Sequence, residues 1–173
     1  MMRAWLLVVP LALGACARLP VQLAGSFPSI TVAEAQAQDL EGERVRWGGE
    51  IVSAEPGKDE TCFEVVSQPL GRTARPRQTD VPHGRFLACA PGFYDPAIYA
   101  PKREVTVVGT LMASTTGKVG EYAYRFPQVE AQAVHLWPER PPEQALYYSP
   151  GFWGYPSWGG GYYRYPRRHG RRR

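Results

Sequence analysis

Three cysteines are the residues of this 173-residue chain best suited to chemistry, and their settings differ. Cys16 follows an apolar run and two small residues, in "LALGAC". A thiol there makes sense as a site of modification. Gly14 and Ala15 suit a peptidase that must close tightly around the bond before the cysteine. Cys62 and Cys89 sit in two later segments of alternating polarity. Other chemistry lacks its parts. The chain has no Gly-x-Ser-x-Gly, no phosphate-binding loop and no His-Glu-x-x-His. His83, His135 and His169 are far apart in sequence and read as a loop residue, a strand or interface residue, and part of an Arg-rich end. Asp59, Glu60, Glu64 and Asp95 are scattered and read as solvated charge. Asp95 precedes Pro96, as a turn former does. The expectation is no catalytic residue, no cofactor and no metal site. A metal held by Cys62, Cys89 and His83 would lack close ligand spacing.

What precedes Cys16 explains it. Arg3 supplies a positive start, and Ala4 to Leu13 is an uncharged stretch of ten residues. That length suits a secretory signal and is too short to span a bilayer, and Pro10 opposes a stable membrane helix. Leu13-Gly14-Ala15-Cys16 resembles the bacterial lipobox. The resemblance implies cleavage after Ala15, a diacylglycerol thioether on Cys16 and acylation of its new amine. An ordinary secretory signal containing a Cys is the alternative. Three acyl chains exceed the two-anchor threshold for stable attachment. Ala17, rather than Asp, follows the Cys; by similarity to enterobacterial lipoproteins this implies the outer membrane.

The elements that must position the remaining residues follow. Residues 1–15 are the signal, and 16–29 read as a lipidated tether with no sustained period. Thr31 and Glu34 have capping-box spacing, predicting a short helix from Thr31 to about Leu40. From Arg44 the period is two: Val45, Trp47, Gly49 and Ile51 share one side. Gly48-Gly49 inside that strand predicts a bulge or a sharp coil. Further strands are expected over 61–68, 85–90, 104–114 and 122–137, with a turn at 115–120 and a break or bulge at Pro127. A connector over 91–102 should hold a helical turn near Pro96–Tyr99. Five strands so connected predict a mainly β fold, a small five-stranded Greek-key barrel of the OB type over 30–137. A plain β-sandwich is the alternative.

The segments "VRWGGEIV" (45–52), "SQPLGRTARP" (67–76), "HGRFLACAPGFYDPAIY" (83–99) and the hairpin over 103–137 resemble the Slp family of outer-membrane lipoproteins, the starvation-inducible lipoprotein group. The resemblance covers about residues 25–137. It implies an outer-membrane location and a link to starvation or stress, and it brings no catalytic residues.

With Cys16 acylated, Cys62 and Cys89 are left in an oxidising compartment. If Phe63 and Val65 face inward, Cys62 faces outward; Phe86 and Ala88 place Cys89 outward in the same way. One antiparallel register sets Phe63 opposite Ala88, Val65 opposite Phe86 and the two cysteines opposite each other. Directly opposed residues are about 4.5–5.5 Å apart at Cα, which a disulfide accepts. Two unpaired thiols are the alternative.

Charge separates the chain in two. Residues 138–173 hold seven Arg and two Glu, a net of +5, whereas residues 1–137 hold 13 Lys and Arg against 14 Asp and Glu, a net of −1. This distribution opposes a nucleic-acid-binding core. The tail mixes Tyr, Trp and Gly with Arg and has no helical or strand period, so it reads as disordered. Arg164, Arg167, Arg168, Arg171, Arg172 and Arg173 are its candidates for binding lipopolysaccharide phosphates or peptidoglycan. The expected function is a non-enzymatic, lipid-anchored module on the periplasmic face of the outer membrane, with no nucleic-acid partner and its protein partner unspecified. The alternatives are a small-ligand-binding barrel and an envelope hydrolase.

Overall fold

The computed structural model describes residues 18–81 and 83–141. Cys16 and the six candidate arginines of the tail, Arg164 to Arg173, lie outside the described residues. Five strands close into a barrel: β1 (Arg44–Pro56), β2 (Glu60–Ser67), β3 (Arg85–Pro91), β4 (Glu104–Val119) and β5 (Tyr122–Leu136). Their order round the barrel is β1-β2-β3-β5-β4. All pairs are antiparallel except β3 with β5, which run parallel over Leu87–Cys89 and Gln128–Glu130. This is the OB-type barrel that the strand pattern predicts.

Helix α1 (Val32–Ala37) begins as its capping box dictates. The Thr31 hydroxyl accepts the Glu34 N–H at 3.2 Å, and the Glu34 carboxylate accepts the Thr31 N–H at 2.7 Å. These bonds, the backbone one foremost, hold the Glu34 carboxyl below its usual range. The helix ends at Ala37 rather than near Leu40, and it buries Val32 and Ala35 against the barrel.

The barrel interior is filled. Phe63, Val65, Phe86, Ala88, Val105, Val107, Leu111 and Val129 are all buried in one cluster. Trp47 meets Phe86 edge-to-face at 5.3 Å between ring centres.

Gly48-Gly49 coils the strand, but the bulge lies beyond it. Arg44–Glu50 pair with β4 and Gly49–Pro56 pair with β2, so the strand changes partner at Gly49 and Glu50. A side chain at Gly49 would overlap the Val66 carbonyl. The register shift falls between Ile51 and Ser53, after the strand has left β4. At the other hairpin, 115–120 is not a turn. β4 continues to Val119 and β5 starts at Tyr122, so the two form a long ribbon. Pro127 does not break β5. The irregularity falls on β4, where the register skips from Met112 to Thr115 opposite Gln128 and Phe126. The partner strand thereby accommodates the missing proline N–H.

The segment expected as a free tether is docked. Val21–Leu23 form a 3₁₀ turn, Leu23 is fully buried, and it packs with Ala74, Val108 and Trp137 on the outer wall. The boundary at 137 also moves, because Pro138 and Arg140 are bound to the barrel (below).

Cys62 and Cys89 face each other across β2 and β3, with Phe63 opposite Ala88 and Val65 opposite Phe86. Their sulfurs are bonded at 2.04 Å and the Cα atoms are 4.0 Å apart. Cys89 lies on the outer side of the barrel yet is buried. The bond closes a separation of 27 residues, for which loop entropy gives roughly 3 kcal/mol. Reduction, or Cys62→Ser with Cys89→Ser, should therefore lower urea stability by about that amount. An unchanged midpoint would refute this contribution.

Candidate functional site

Two places stand out among the described residues. The first centres on Glu104, the opening residue of β4. Its side chain is 8% exposed and accepts from Arg75 Nε at 2.7 Å and Arg140 Nε at 2.8 Å. Arg140 Nη2 donates to the Pro76 carbonyl, and Arg75 Nη2 to the Pro138 carbonyl, each at 2.7 Å. One buried carboxylate thus binds the β2–β3 loop, the start of β4 and the chain leaving β5. Two guanidiniums supply the pairing that a buried charge requires. The loop seats Ala74 in the left-handed region (φ 62°), fully buried. Its carbonyl accepts from Thr106 Oγ1 at 2.7 Å, and that hydroxyl accepts from Trp137 Nε1 at 2.9 Å. A cleft of about 240 Å³ beside Glu104 is lined by Lys102, Arg103, Glu139 and Glu50. The arrangement is a structural lock: two guanidiniums hold the one carboxylate and also bond backbone carbonyls.

The second is a groove of about 380 Å³ outside the barrel core. The Phe27–Val32 segment forms one wall, Pro69 and Leu70 the other, and Trp47 and Gln68 the floor, with His83 at the rim. The Trp47 indole donates to the Ile30 carbonyl at 2.7 Å. Arg46 lies over the Phe27 ring at 4.9 Å and donates to the Leu23 carbonyl at 2.9 Å. The groove mixes apolar side chains with Ser29, Thr31, Arg46, Ser67, Gln68 and His83, so it offers a ligand both apolar contact and hydrogen bonds.

The other residues singled out by type do not converge. His135 stacks edge-on against Trp137 at 4.4 Å, its Nδ1 lies 2.8 Å from Gln22 Nε2, and burial pushes its pKa down. Glu64 pairs with Arg85 at 2.6 Å. Asp95 closes the connector turn, its Oδ1 accepting the Ala97 N–H at 2.8 Å. Glu60 lies beside the disulfide, and Glu60, Cys62 and Cys89 are the described residues whose ligand atoms cluster closely enough to suggest a metal. Both sulfurs are in the disulfide, so neither offers the thiolate a metal needs. His169 lies outside the described residues. Sequence reasoning missed the Glu104 lock. Its signal was a carboxylate directly preceding the β-branched run Val105–Val108, where a charge stays only if it is paired.

The barrel carries little sign of its use by itself, but the whole chain has relatives. The family model described as "Outer membrane lipoprotein Slp family" matches residues 13–166. The chain belongs to the Slp family. The match runs past Trp137, where the sequence resemblance stops; it takes in Cys16 and the tail as far as Pro166, and ends before Arg167, Arg168, Arg171, Arg172 and Arg173. The chain is 30% identical over 170 residues to outer membrane protein Slp of Escherichia coli K12, covering 92% of this chain and 90% of that protein. It is 29% identical to the uncharacterized lipoprotein YeaY of the same organism, over 73% of this chain and 67% of that one. Among solved structures, a small single-stranded DNA-binding protein from Streptomyces coelicolor matches 55% of this chain and 94% of its own. Its identity is 15% and the TM-score 0.39. By family, this is an outer-membrane lipoprotein.

Proposed function

We propose that the protein is a non-enzymatic envelope module, held by acyl chains on Cys16 to the periplasmic face of the outer membrane and serving the cell in starvation or stress. The observation that carries the non-enzymatic part is the filled barrel. Its interior holds packed aliphatic and aromatic side chains, and Glu64, Glu104 and Arg85 are committed to ion pairs. The lipobox residues support the anchor. Cys16→Ser should remain an unprocessed or soluble periplasmic species. A variant that still fractionates with the outer membrane at unchanged mass would overturn the lipidation.

The basic tail is assigned the adhesive role, through Arg164, Arg167, Arg168, Arg171, Arg172 and Arg173 and toward lipopolysaccharide phosphates or peptidoglycan. The rest of the chain is about neutral, so long-range attraction comes from the tail. Exposed contacts of this kind are screened within roughly 8–10 Å at physiological salt. Co-sedimentation should therefore weaken as salt rises and fall for the arginine-to-glutamine variant. A truncation to test this must end after Pro141, because Arg140 belongs to the Glu104 lock. Equal binding by full-length and truncated protein would remove the tail from the account.

The Trp47 groove favours a second reading, a small-ligand binder. Its test is a change in Trp47 fluorescence on titration with apolar amphiphiles. A response that survives filling the groove with Leu70→Trp would remove that reading.

A further inference from the structure

We infer that the barrel corner bearing Phe93 and Ile98 is a bilayer-docking surface, resting on the phospholipid leaflet that holds the acyl chains of Cys16. The inference rests on the lipid-anchor reading above and adds to it which face meets the membrane. Phe93 is 75% exposed and Ile98 54% exposed, and both stand on the connector between β3 and β4. Single exposed apolar residues are ordinary. These two are held outward from a firm base. Between them in sequence and just beyond, Tyr94 and Tyr99 turn inward and meet Phe63 at 5.5 and 5.4 Å. The two tyrosines also meet each other at 5.0 Å. Asp95 ties the turn, its carbonyl accepting the N–H groups of Ile98 at 3.0 Å and Tyr99 at 2.9 Å. The Gly92 N–H bonds the Asp59 carbonyl at 2.8 Å, which seats the connector beside the β1–β2 turn.

Bonds and packing connect this corner to the described segment that follows Cys16. Arg103 donates to the Ile98 carbonyl at 3.2 Å and to the Trp137 carbonyl at 3.1 Å. Trp137 packs in one cluster with Leu23, so two side chains link Ile98 to the docked N-terminal segment. Val21, 88% exposed, and Leu19 are further exposed apolar residues on that segment, next in sequence after Cys16 and Arg18. Leu23 is seven positions after Cys16, at most about 25 Å of chain. A leash of that length keeps this corner within reach of the leaflet. Charges of both signs flank Phe93 and Ile98, with Lys58, Lys102 and Arg103 against Asp59, Glu60 and Asp95. The contact is therefore apolar, with the lysine stems free to lie along it and their heads among lipid headgroups. Raised salt should leave it intact, in contrast to binding by the tail.

The test uses acylated full-length protein in vesicles of phosphatidylethanolamine and phosphatidylglycerol. An environment-sensitive fluorophore is placed at Phe93→Cys and, separately, at Tyr122→Cys. Tyr122 opens the β4–β5 ribbon near the start of β3, at the other end of the barrel from the connector. Both proteins should float with vesicles. The label at 93 should shift to the blue and lose its quenching by aqueous iodide, at low and high salt alike. The label at 122 should remain quenched. Flotation with equal quenching at both positions overturns the docking face and leaves the anchor standing. Failure to float overturns the anchor and the docking face together. Shielding of position 93 in Cys16→Ser protein without vesicles would mean that a second copy covers the corner, and would also overturn the inference.

Discussion

Replacing Gly49 by alanine should cost about 3 kcal/mol or more and leave most of the chain without its closed barrel at moderate urea. The backbone here serves two neighbours at once, pairing with Val105 of β4 and Ser67 of β2. A methyl group would overlap the Val66 carbonyl, a part of the ladder that has no side-chain freedom to yield. Relief requires β1 and β2 to separate where the strand changes partner, so overpacking here falls at the upper end of its usual range. Gly48→Ala should cost less. Its methyl would lie 2.6 Å from the Val105 carbonyl, but its other neighbours, Thr106 Oγ1 and Leu70 Cδ2, are side-chain atoms. Urea unfolding followed by circular dichroism reads both. A wild-type midpoint for Gly49→Ala, or the reverse ranking, would refute the account.

Glu104→Ala should cost about 3 kcal/mol, the lower end for breaking a buried pair, because Arg75 and Arg140 keep some access to water. Removal of the carboxylate leaves two guanidiniums facing each other with no anion between them. The loss is not confined to one contact, since both arginines also bond carbonyls of the opposite segment. The β2–β3 loop and the chain after β5 should loosen together. Faster tryptic cleavage at Arg72 and Arg77 should accompany the lower midpoint. Gln at 104 should recover only part, because its amide turns a donor toward a donor. Stability equal to wild type with an unchanged cleavage pattern would show that the lock contributes nothing.

The strands were legible in the sequence because one-sided burial imposes a period of two. Phe63, Val65, Phe86 and Ala88 announced their inward faces, and those faces imposed the register that sets Cys62 opposite Cys89. The capping box marked the start of α1 because its bonds join residues three apart. β4 was less transparent. Glu104 through Gly109 are all buried, so no alternation survives in the outcome. Val105 and Val107 face the core, while Thr106 and Val108 are covered from outside by Ala74, Trp137 and Leu23.

Local pattern and composition, then, determined the candidate lipid site at Cys16, the order of the strands, their inward faces and the separation of a neutral body from a basic tail. Tertiary structure alone decided that the N-terminal segment lies on the barrel wall, that Glu104 gathers Arg75 and Arg140, and that β1 bulges after Ile51 rather than at Gly48-Gly49. The bulge depends on the register with β2, and the other two depend on residues far off in the chain, 29 positions for Arg75 and Glu104 and more than 100 for Leu23 and Trp137. Periodicity records that a face is buried against something close in the pattern; it carries no record of a second layer supplied from elsewhere in the chain.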